Sequence, residues 1–492
     1  MDFKNLTKRV FSNPKEFFLE NLTLKQTIFK NTIWLSISEF FVRLFKYLLI
    51  IFAARILAVN QYGQFSFALS FIGFFVAFGD LGISQIVTRE LSKNEEFFQK
   101  FSSIFTLKFL LQILTLILIF LTAFLTIKDN TTRITIFLLG FYFLFSSLLD
   151  NVFIYLRATQ KMEYEAIGKI LESLFIFIVG ISALKILPSC KSLGFGYFLG
   201  SFISFLIFFL YFCFKFLKIK FVIDKNLWKE IFLLSWPLAF GGILTTIYAN
   251  LDSVMIGFFK DYQDVGFYNA AQKIISICII PLAILSQVFF PALSSSIKEG
   301  KSRFQSIFNY LFKSSTFLGI PILFGGLLLA NRIIDFVYDP RYFSSIPALK
   351  ILLFTCFLNY FSLPFSQSLL VLNYQKKIFF VILLTAILNI ILNFLLIPKY
   401  SFVGASLTTL ASVILNVILM VYLFKKYCQL DFKLDSTFFA SLLASTVMVA
   451  IISQKIILSR HILLLVSLGG ISYFLFFYLF YKFFQKIKIF SE

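Results

Sequence analysis

The 492-residue sequence contains few of the side chains on which catalytic and metal chemistry depend: five cysteines and one histidine, His461. The cysteines stand apart and form no C-x-x-C pair, so their spacing indicates neither a metal site nor a disulfide framework. A histidine-dependent reaction would rest on that single residue. Acidic residues are scarce as well, with 24 Asp and Glu against 45 Lys and Arg, giving a formal net charge of +21.

Several catalytic motifs are also absent from the sequence. There is no G-x-x-x-x-G-K-[ST], no H-E-x-x-H and no G-x-S-x-G. The first absence excludes ATP hydrolysis by a P-loop, so any energy input must come from an ion gradient, the membrane potential or a substrate gradient. We therefore predict a protein that is not an enzyme and that needs no cofactor and no metal.

What the sequence has in abundance is apolar residues, which make up 59% of the chain with a mean hydropathy of +0.89. They fall in blocks of about 20 residues, each long enough to cross a hydrocarbon core of about 30 Å. We count about 14 such blocks, and no loop between them is long enough to fold as a soluble domain. The predicted fold class is an all-α polytopic membrane protein.

The basic residues lie mainly in short loops, which predicts the orientation of the spans. With the N-terminus inside, the inner loops carry about three times as many Lys and Arg as the outer loops. We therefore expect both termini in the cytoplasm and a location in a bacterial or archaeal cytoplasmic membrane. Since this distribution accounts for the positive charge, nucleic acid is not an expected partner.

A weak internal repeat predicts two lobes. Gly63 and Ala68 after the first span match Gly266 and Ala271 after the seventh, and Pro188-x₅-Gly194 matches Pro398-x₅-Gly404. Six spans separate the copies, so both enter the membrane in the same direction, as in parallel transporter repeats. The predicted divisions are a cytoplasmic amphipathic segment (1–30), an N-lobe (31–225), a C-lobe (226–430) and two additional helices with a cytoplasmic C-terminus (431–492).

Charged residues inside spans are expensive and normally face a wet interior or a partner. Glu39, Arg43 and Lys46 follow each other at i, i+4 and i+7 in the first span. Glu39 and Arg43 suit an intrahelical pair, whereas Arg43 with Lys46 favours a cationic, water-filled cavity. The predicted substrate-cavity residues are Arg43, Lys46, Arg55, Arg89, Asn250 and Lys273.

Three acidic residues form a second predicted group, with a role in ion coupling or charge balance: Glu39, Asp80 and Asp252. Asp80 lies in Phe78-Gly79-Asp80-Leu81-Gly82, where the glycines can break the span. A structural capping role ranks first for this residue, and a proton or cation site ranks second. Other charges in spans mostly lie nearer span ends, where snorkelling explains them; these are Lys108, Asp150, Glu172, Lys185 and Lys313.

Three stretches resemble the polysaccharide-transporter branch of the MOP exporters, the Wzx-type flippases of lipid-linked O-antigen and capsule units. The first runs from Ala54-Arg55-Ile56-Leu57 to Thr88-Arg89-Glu90-Leu91. The second runs from Leu234-Ser235-Trp236-Pro237 to Phe290-Pro291-Ala292-Leu293. The third joins Leu388-Asn389 through Ile397-Pro398 to Val403-Gly404-Ala405-Ser406. The resemblance covers most of the first 425 residues and identifies a family but no particular substrate.

The resemblance implies two six-helix lobes plus two C-terminal helices, and alternating access around a cationic cavity lined by the first two helices of each lobe. It implies as cargo a polyprenyl-pyrophosphate-linked oligosaccharide that moves between leaflets, with membrane lipid and downstream glycan polymerase or ligase machinery as partners. A lipid II flippase or a MATE-like drug exporter is the alternative within the superfamily. A membrane glycan polymerase or ligase is less expected, because a large outer loop is missing.

Overall fold

A computed structural model describes residues 21–93, 95–428, 430, 432, 434–454 and 461–487. Throughout that part of the chain the regular structure is helical. Residues 1–20 of the predicted amphipathic segment 1–30 lie outside the described residues. The helices are α1 Leu24–Ile56, α2 Val59–Phe75, α3 Ile83–Leu91, α4 Glu95–Gln99, α5 Phe101–Thr126, α6 Asn130–Ala158, α7 Met162–Ile186, α8 Cys190–Lys215, α9 Lys225–Phe259, α10 Tyr262–Cys278, α11 Ile280–Glu299, α12 Lys301–Val337, α13 Ile346–Val371, α14 Gln375–Cys428, α15 Ser436–Ile452 and α16 Ile462–Ile487.

Eleven helices within the described residues are long and apolar enough to cross a membrane. This confirms the all-α membrane fold, whereas the predicted number of about 14 spans is not confirmed. The charged helix α1 is not among the eleven, and α15 is a shorter apolar helix of 17 residues. Helix α14 has 54 residues, but Ser401 has φ 51° and ψ −136°, so a kink there divides it into two helices.

The chain divides into two compact units, the first ending at Val254 and the second beginning at Met255. The division falls within α9, whereas the predicted lobe boundary lies at residues 225/226. In the first unit α7 packs extensively on α8 and α1, and α8 also packs on α6. In the second unit α13 packs between α12 and α14, and α15 pairs with α16 against α12.

The second span is broken where the glycines predicted a break. Helix α2 ends at Phe75, a single 3₁₀ turn covers Val76–Gly79, and α3 begins at Ile83. Gly82 has φ 70°, a left-handed conformation that side chains with a Cβ adopt at a cost. A Cβ added to Gly82 would lie 2.7 Å from Cβ of Leu238, so glycine is also required by the space available.

Helices α7 and α8 approach each other to backbone contact. A Cβ added to Gly196 would lie 2.5 Å from Cα of Gly180, and one added to Gly200 would lie 2.6 Å from Cα of Ile176. Small residues at such positions allow membrane helices to pack through van der Waals contact of their backbones. The two helices therefore form a tightly packed pair, and Gly180 also faces Leu49 of α1.

Candidate functional site

The first unit contains a cavity of about 250 Å³ inside its own helix bundle. Helices α1, α6, α7 and α8 form its walls. The polar residues of the lining are Glu39, Lys46, Tyr142, Ser146, Lys169, Glu172, Ser173 and Tyr197. The rings of Tyr142 and Tyr197 pack edge to face, with their centroids 5.2 Å apart. The cavity therefore combines carboxylates, ammonium groups and hydroxyls within a largely apolar bundle.

A continuous series of ion pairs leads from the α6–α7 turn into this cavity. We call it the charge network, and its members in order are Asp150, Arg157, Glu165, Lys169, Glu39 and Arg43. Lys169 Nζ lies 3.0 Å from Glu165 Oε1 and 3.9 Å from Glu39 Oε1, so it joins α7 to α1. Cation and anion alternate along the series, which compensates most of the charge buried in the bundle.

Arg157 is the centre of the lower part of the charge network. Its Nε donates to Glu165 Oε2 at 2.9 Å and its Nη2 to Glu165 Oε1 at 2.8 Å, and Nη2 also donates to Asp150 at 2.8 Å. The Glu165 side chain is only 1% exposed. Planar guanidinium groups suit such two-pronged contacts, because two parallel N–H bonds match the carboxylate geometry. The arrangement fixes the turn between α6 and α7.

A second buried pair ties the beginning of α1 to the beginning of α7. Lys30 Nζ lies 3.0 Å from Glu163 Oε2, and the two side chains are 0% and 4% exposed. Lys30 also donates to Asn21 Oδ1 at 2.7 Å. Nearby, the Asn31 amide donates to Gln160 Oε1 at 2.9 Å. Helices α1 and α7 are thus connected by charge at two levels, here and at Lys169.

The three predicted residues of α1 lie along one side of the helix, and two of them line or reach the cavity. Glu39 and Lys46 are lining residues, while Arg43 Nε lies 3.4 Å from Glu39 Oε2. The intrahelical pair and the cavity interpretation therefore both have a geometric basis. Glu39 is shared between Arg43 and Lys169, and Lys46 adds a further positive charge to the wall.

Asp80 lies in the broken span and makes polar contacts there. Lys108 Nζ of α5 lies 2.8 Å from Asp80 Oδ1 and 2.5 Å from the Ser84 hydroxyl, and the backbone N–H of Ser84 donates to the same carboxylate oxygen. The Ser84 hydroxyl donates to it as well. These contacts fit the structural role ranked first for Asp80. Snorkelling was the wrong explanation for Lys108, because its side chain is 2% exposed and paired.

The remaining predicted residues of the first unit lie apart from the cavity lining. Arg55 is exposed in the last turn of α1, and Arg89 pairs with its neighbour Glu90 at 2.8 Å near the end of α3. On α9, Asn250 donates to the Thr246 carbonyl at 2.8 Å and packs against Gly73, and Asp252 is half-buried. The structure does not bring these four together with Arg43 and Lys46 in the one cavity described.

In the second unit, Lys273 is a half-buried residue of α10. The interior polar groups on α14 are neutral instead. Asn393 donates to Asn389 Oδ1 at 3.0 Å and accepts from the Thr408 hydroxyl at 2.5 Å, and all three side chains are buried. The Ser401 hydroxyl at the α14 kink donates to Asp264 of α10. Polar contacts here hold the two halves of α14 together.

Sequence reasoning missed the contribution of α7 to the cavity. Lys169 was not singled out, and snorkelling near a span end was the wrong explanation for Glu172, which lines the cavity. A signal was present, since Glu165, Lys169 and Glu172 repeat the i, i+4, i+7 spacing of Glu39, Arg43 and Lys46. Two such faces in one bundle predict a polar interior between their helices.

Known proteins place this architecture in a defined class. The fold is shared with a solved membrane-protein structure: the chain superposes on the one described as "Lipid II flippase MurJ, inward closed conformation" with a TM-score of 0.75 and 18% identity, over 92% of this chain and 99% of that one. At that identity the likeness shows the fold alone. Residues 28–297, more than half of the chain, match the family model "Polysaccharide biosynthesis protein". The chain belongs to that family, as the resemblance predicted.

Curated relatives are similar over shorter stretches. "Probable low-salt glycan biosynthesis flippase Agl15" of Haloferax volcanii is 26% identical over 38% of this chain and 40% of its own length. "Capsular polysaccharide biosynthesis protein CapF" of Staphylococcus aureus is 25% identical over 43% of this chain and 54% of its own length. The chain thus spans about half the length, or less, of these relatives.

Proposed function

We propose that this protein is a flippase that moves a polyprenyl-pyrophosphate-linked oligosaccharide from the inner to the outer leaflet of a bacterial or archaeal cytoplasmic membrane. The single observation that carries the proposal is the family match over residues 28–297. The names of the two curated relatives, a glycan-biosynthesis flippase and a capsule-biosynthesis protein, support a glycan cargo. Transport proceeds by alternating access, with an ion gradient or the membrane potential as the energy source.

Arg43 and Lys46 are the residues that we propose for attracting the cargo. A pyrophosphate group carries several negative charges, and cations in a low-dielectric surrounding bind it strongly. Both residues lie on α1, a helix that also carries Glu39 and Arg55, and Lys46 lines the cavity of the first unit. Arg55, Arg89, Asn250 and Lys273 complete the proposed cargo path. Glu39, Asp80 and Asp252 balance charge or couple ions along it.

The proposal includes the two-lobe division and the orientation. Spans within 31–225 and 226–430 form the repeated lobes, residues 431–492 add the helices α15 and α16, and both termini are cytoplasmic. The positive-inside distribution of Lys and Arg supports the orientation. Membrane lipid surrounds the protein, and polymerase or ligase machinery receives the flipped glycan.

The test compares two double variants in cells that depend on this protein for surface glycan. Arg43→Ala with Lys46→Ala should abolish surface glycan and leave lipid-linked glycan on the cytoplasmic face. Lys298→Ala with Lys301→Ala removes the same charge from exposed positions and should leave surface glycan at the parental amount. Immunoblotting of membranes verifies equal protein. Normal surface glycan in the first variant would refute the assignment of these cations.

A second candidate is another cargo of the same superfamily, namely lipid II or a cationic drug. Residues 237–395 match the family model "MatE", and the lipid II flippase structure shares the fold. Complementation separates the candidates: rescue of a lipid II flippase depletion, or increased resistance to cationic drugs, without any effect on surface glycan would favour this alternative.

A further inference from the structure

One oxygen of Glu172 is left without a hydrogen-bond donor in the cavity of the first unit. Glu172 lines the cavity, and its Oε1 is buried and accepts no hydrogen bond from any residue that the structure describes. Counting from Met162, this residue lies about 15 Å along α7, which is deep within the bundle. A buried carboxylate oxygen without a donor is costly, so the group needs either a partner or a proton.

Every helix around the cavity presents ionisable or polar groups to Glu172. Helix α7 itself contributes Lys169 one turn earlier, and the Tyr142 and Ser146 side chains of α6 lie beside the carboxyl. Asp150 of α6 is a further negative charge close enough to act on it. The other polar residues of the lining are Glu39 and Lys46 on α1, Tyr142 and Ser146 on α6, Lys169 and Ser173 on α7 and Tyr197 on α8, and Asp150 acts from outside the lining.

The mixture of charges favours a proton over a metal ion as the occupant. Two ammonium groups, Lys46 and Lys169, share the wall with Glu172 and repel a second cation. A metal ion also needs several oxygen ligands around it. Within the described residues no group of three or more His, Cys, Asp or Glu side chains is arranged to hold one. A proton needs no shell of ligands, and its binding converts the Glu172 carboxylate into a neutral carboxylic acid.

Lys169 has two competing anionic neighbours one turn away on the same helix. It now pairs with Glu165 at 3.0 Å and lies 3.9 Å from Glu39, while Glu172 is three residues further along. Positions i, i+3 and i+4 of a helix are mutual neighbours, so the flexible lysine reaches either carboxylate. A charge on Glu172 attracts Lys169, and a neutral Glu172 leaves Lys169 with Glu165 and Glu39.

We propose that Glu172 is a proton-binding site inside the first unit and that Lys169 is its positioning residue, exchanging between Glu172 and the pair Glu165 and Glu39. Proton uptake transfers one proton from water to the Glu172 carboxylate, and no other bond is made or broken. Since Glu39 lies on α1 beside Arg43, proton binding at Glu172 changes the charges that contact the helix proposed to attract the cargo. The link to transport rests on the proposed function, whereas the proton site itself does not.

The proton site is tested on the full-length purified protein in lipid nanodiscs. A hydrophobic carbodiimide reacts with protonated, buried carboxyl groups, and mass spectrometry of peptides locates the adduct. We expect an adduct at Glu172 that declines as pH rises, disappears in Glu172→Gln and persists in the exposed control Glu299→Gln. No adduct at Glu172 at any pH, with adducts forming at other buried carboxyls, would overturn the proposal.

The role of Lys169 is tested by the same labelling. Lys169→Met removes the cation that favours a charged Glu172, so labelling should persist to higher pH than in the parent protein. Lys169→Arg keeps the charge and should restore the parental pH profile. A purely structural role predicts the same profile in Lys169→Met as in the parent, provided that the variant elutes as the same monodisperse species. That result would remove Lys169 from the proposal.

Coupling is tested in proteoliposomes that contain the lipid-linked glycan. A gradient of about one pH unit can drive up to about tenfold accumulation for each coupled proton. We expect the parent protein to respond to the pH gradient and Glu172→Gln to flip the lipid without that response. Stimulation by a sodium gradient that Glu172→Gln abolishes would instead identify a sodium site. If no lipid is flipped under any condition, the proposed function fails, while the labelling result still decides the proton site.

Discussion

The two units of this protein solve the same problem, polar groups inside a helix bundle, in different ways. The first unit buries formal charges and pairs them, with Lys30 on Glu163, Lys108 on Asp80 and the charge network leading to the cavity. On α14 of the second unit the buried groups are amides and hydroxyls, such as Asn393 with Thr408. Neutral hydrogen bonds keep their form across the physiological pH range, whereas carboxylates and amines exchange protons. Responses to pH are therefore expected from the first unit.

The largest loss of stability is expected from breaking a buried ion pair. Lys30→Met leaves the Glu163 carboxylate, 4% exposed, without its cation and should lower the free energy of unfolding by about 3–5 kcal/mol. Chemical denaturation in mild detergent measures the change. Arg303→Met, which breaks the exposed pair with Glu299, is the matched control and should cost about 0–1 kcal/mol. Equal effects of the two changes would contradict the contrast between buried and exposed pairs.

The neutral cluster should be less sensitive. Asn393→Ala removes bonds to Asn389 and Thr408, and we expect a cost of about 1–3 kcal/mol. A double-mutant cycle with Thr408→Val measures the coupling of that one pair, which averages about 0.6 kcal/mol for hydrogen bonds between membrane helices. A coupling as large as that of Lys30 with Glu163 would contradict the expected difference between buried ion pairs and buried neutral hydrogen bonds.

The broken span of the first unit should tolerate no added methyl group at its turn. Gly82→Ala places a Cβ 2.7 Å from Leu238 in a left-handed conformation and should cost about 1–2 kcal/mol from the backbone alone. Gly241→Ala is the control within α9, because nothing lies within 4 Å of its added Cβ. Thermal unfolding monitored by fluorescence compares the two, and a loss of stability in both variants would show that the turn is not special.

The smallest effect concerns an acid at the surface of the first unit. Burial opposes ionisation of Asp129, but hydrogen bonds from Thr132 outweigh it and lower the pKa of this carboxyl. A lowered pKa means that the stabilisation is present above about pH 4 and is lost as the pH falls through the native value. Asp129→Ala, which also removes the N-cap of α6, should cost about 1 kcal/mol near pH 7 and less under acidic conditions. If the loss of stability caused by Asp129→Ala instead grew as the pH fell, the pKa of Asp129 would not be lowered in the folded protein.

Local patterns were sufficient for much of the fold, and long-range partners were not. The break around Asp80 follows from glycines within the same five residues, and the membrane helices follow from runs of apolar residues. Lys108 was misjudged because its partner Asp80 lies 28 positions earlier, in the break between α2 and α3. Glu172 was misjudged for the same reason, because its surroundings come from four helices. The spacing of charges on α7 resembles that on α1, but only the packed bundle shows that the two faces meet.

The backbone contact between α7 and α8 limits how the cavity can change its volume. Gly196 and Gly200 leave no gap in which one helix could slide or tilt away from the other without losing that contact. Glu172 on α7 and Tyr197 on α8 are therefore expected to keep a fixed distance from each other when the cavity changes its volume. Expansion or collapse of the cavity requires displacement of the opposite wall, formed by α1 and α6. A methyl group added at Gly196 would force α7 and α8 apart and would therefore loosen the wall that carries Glu172 and Tyr197.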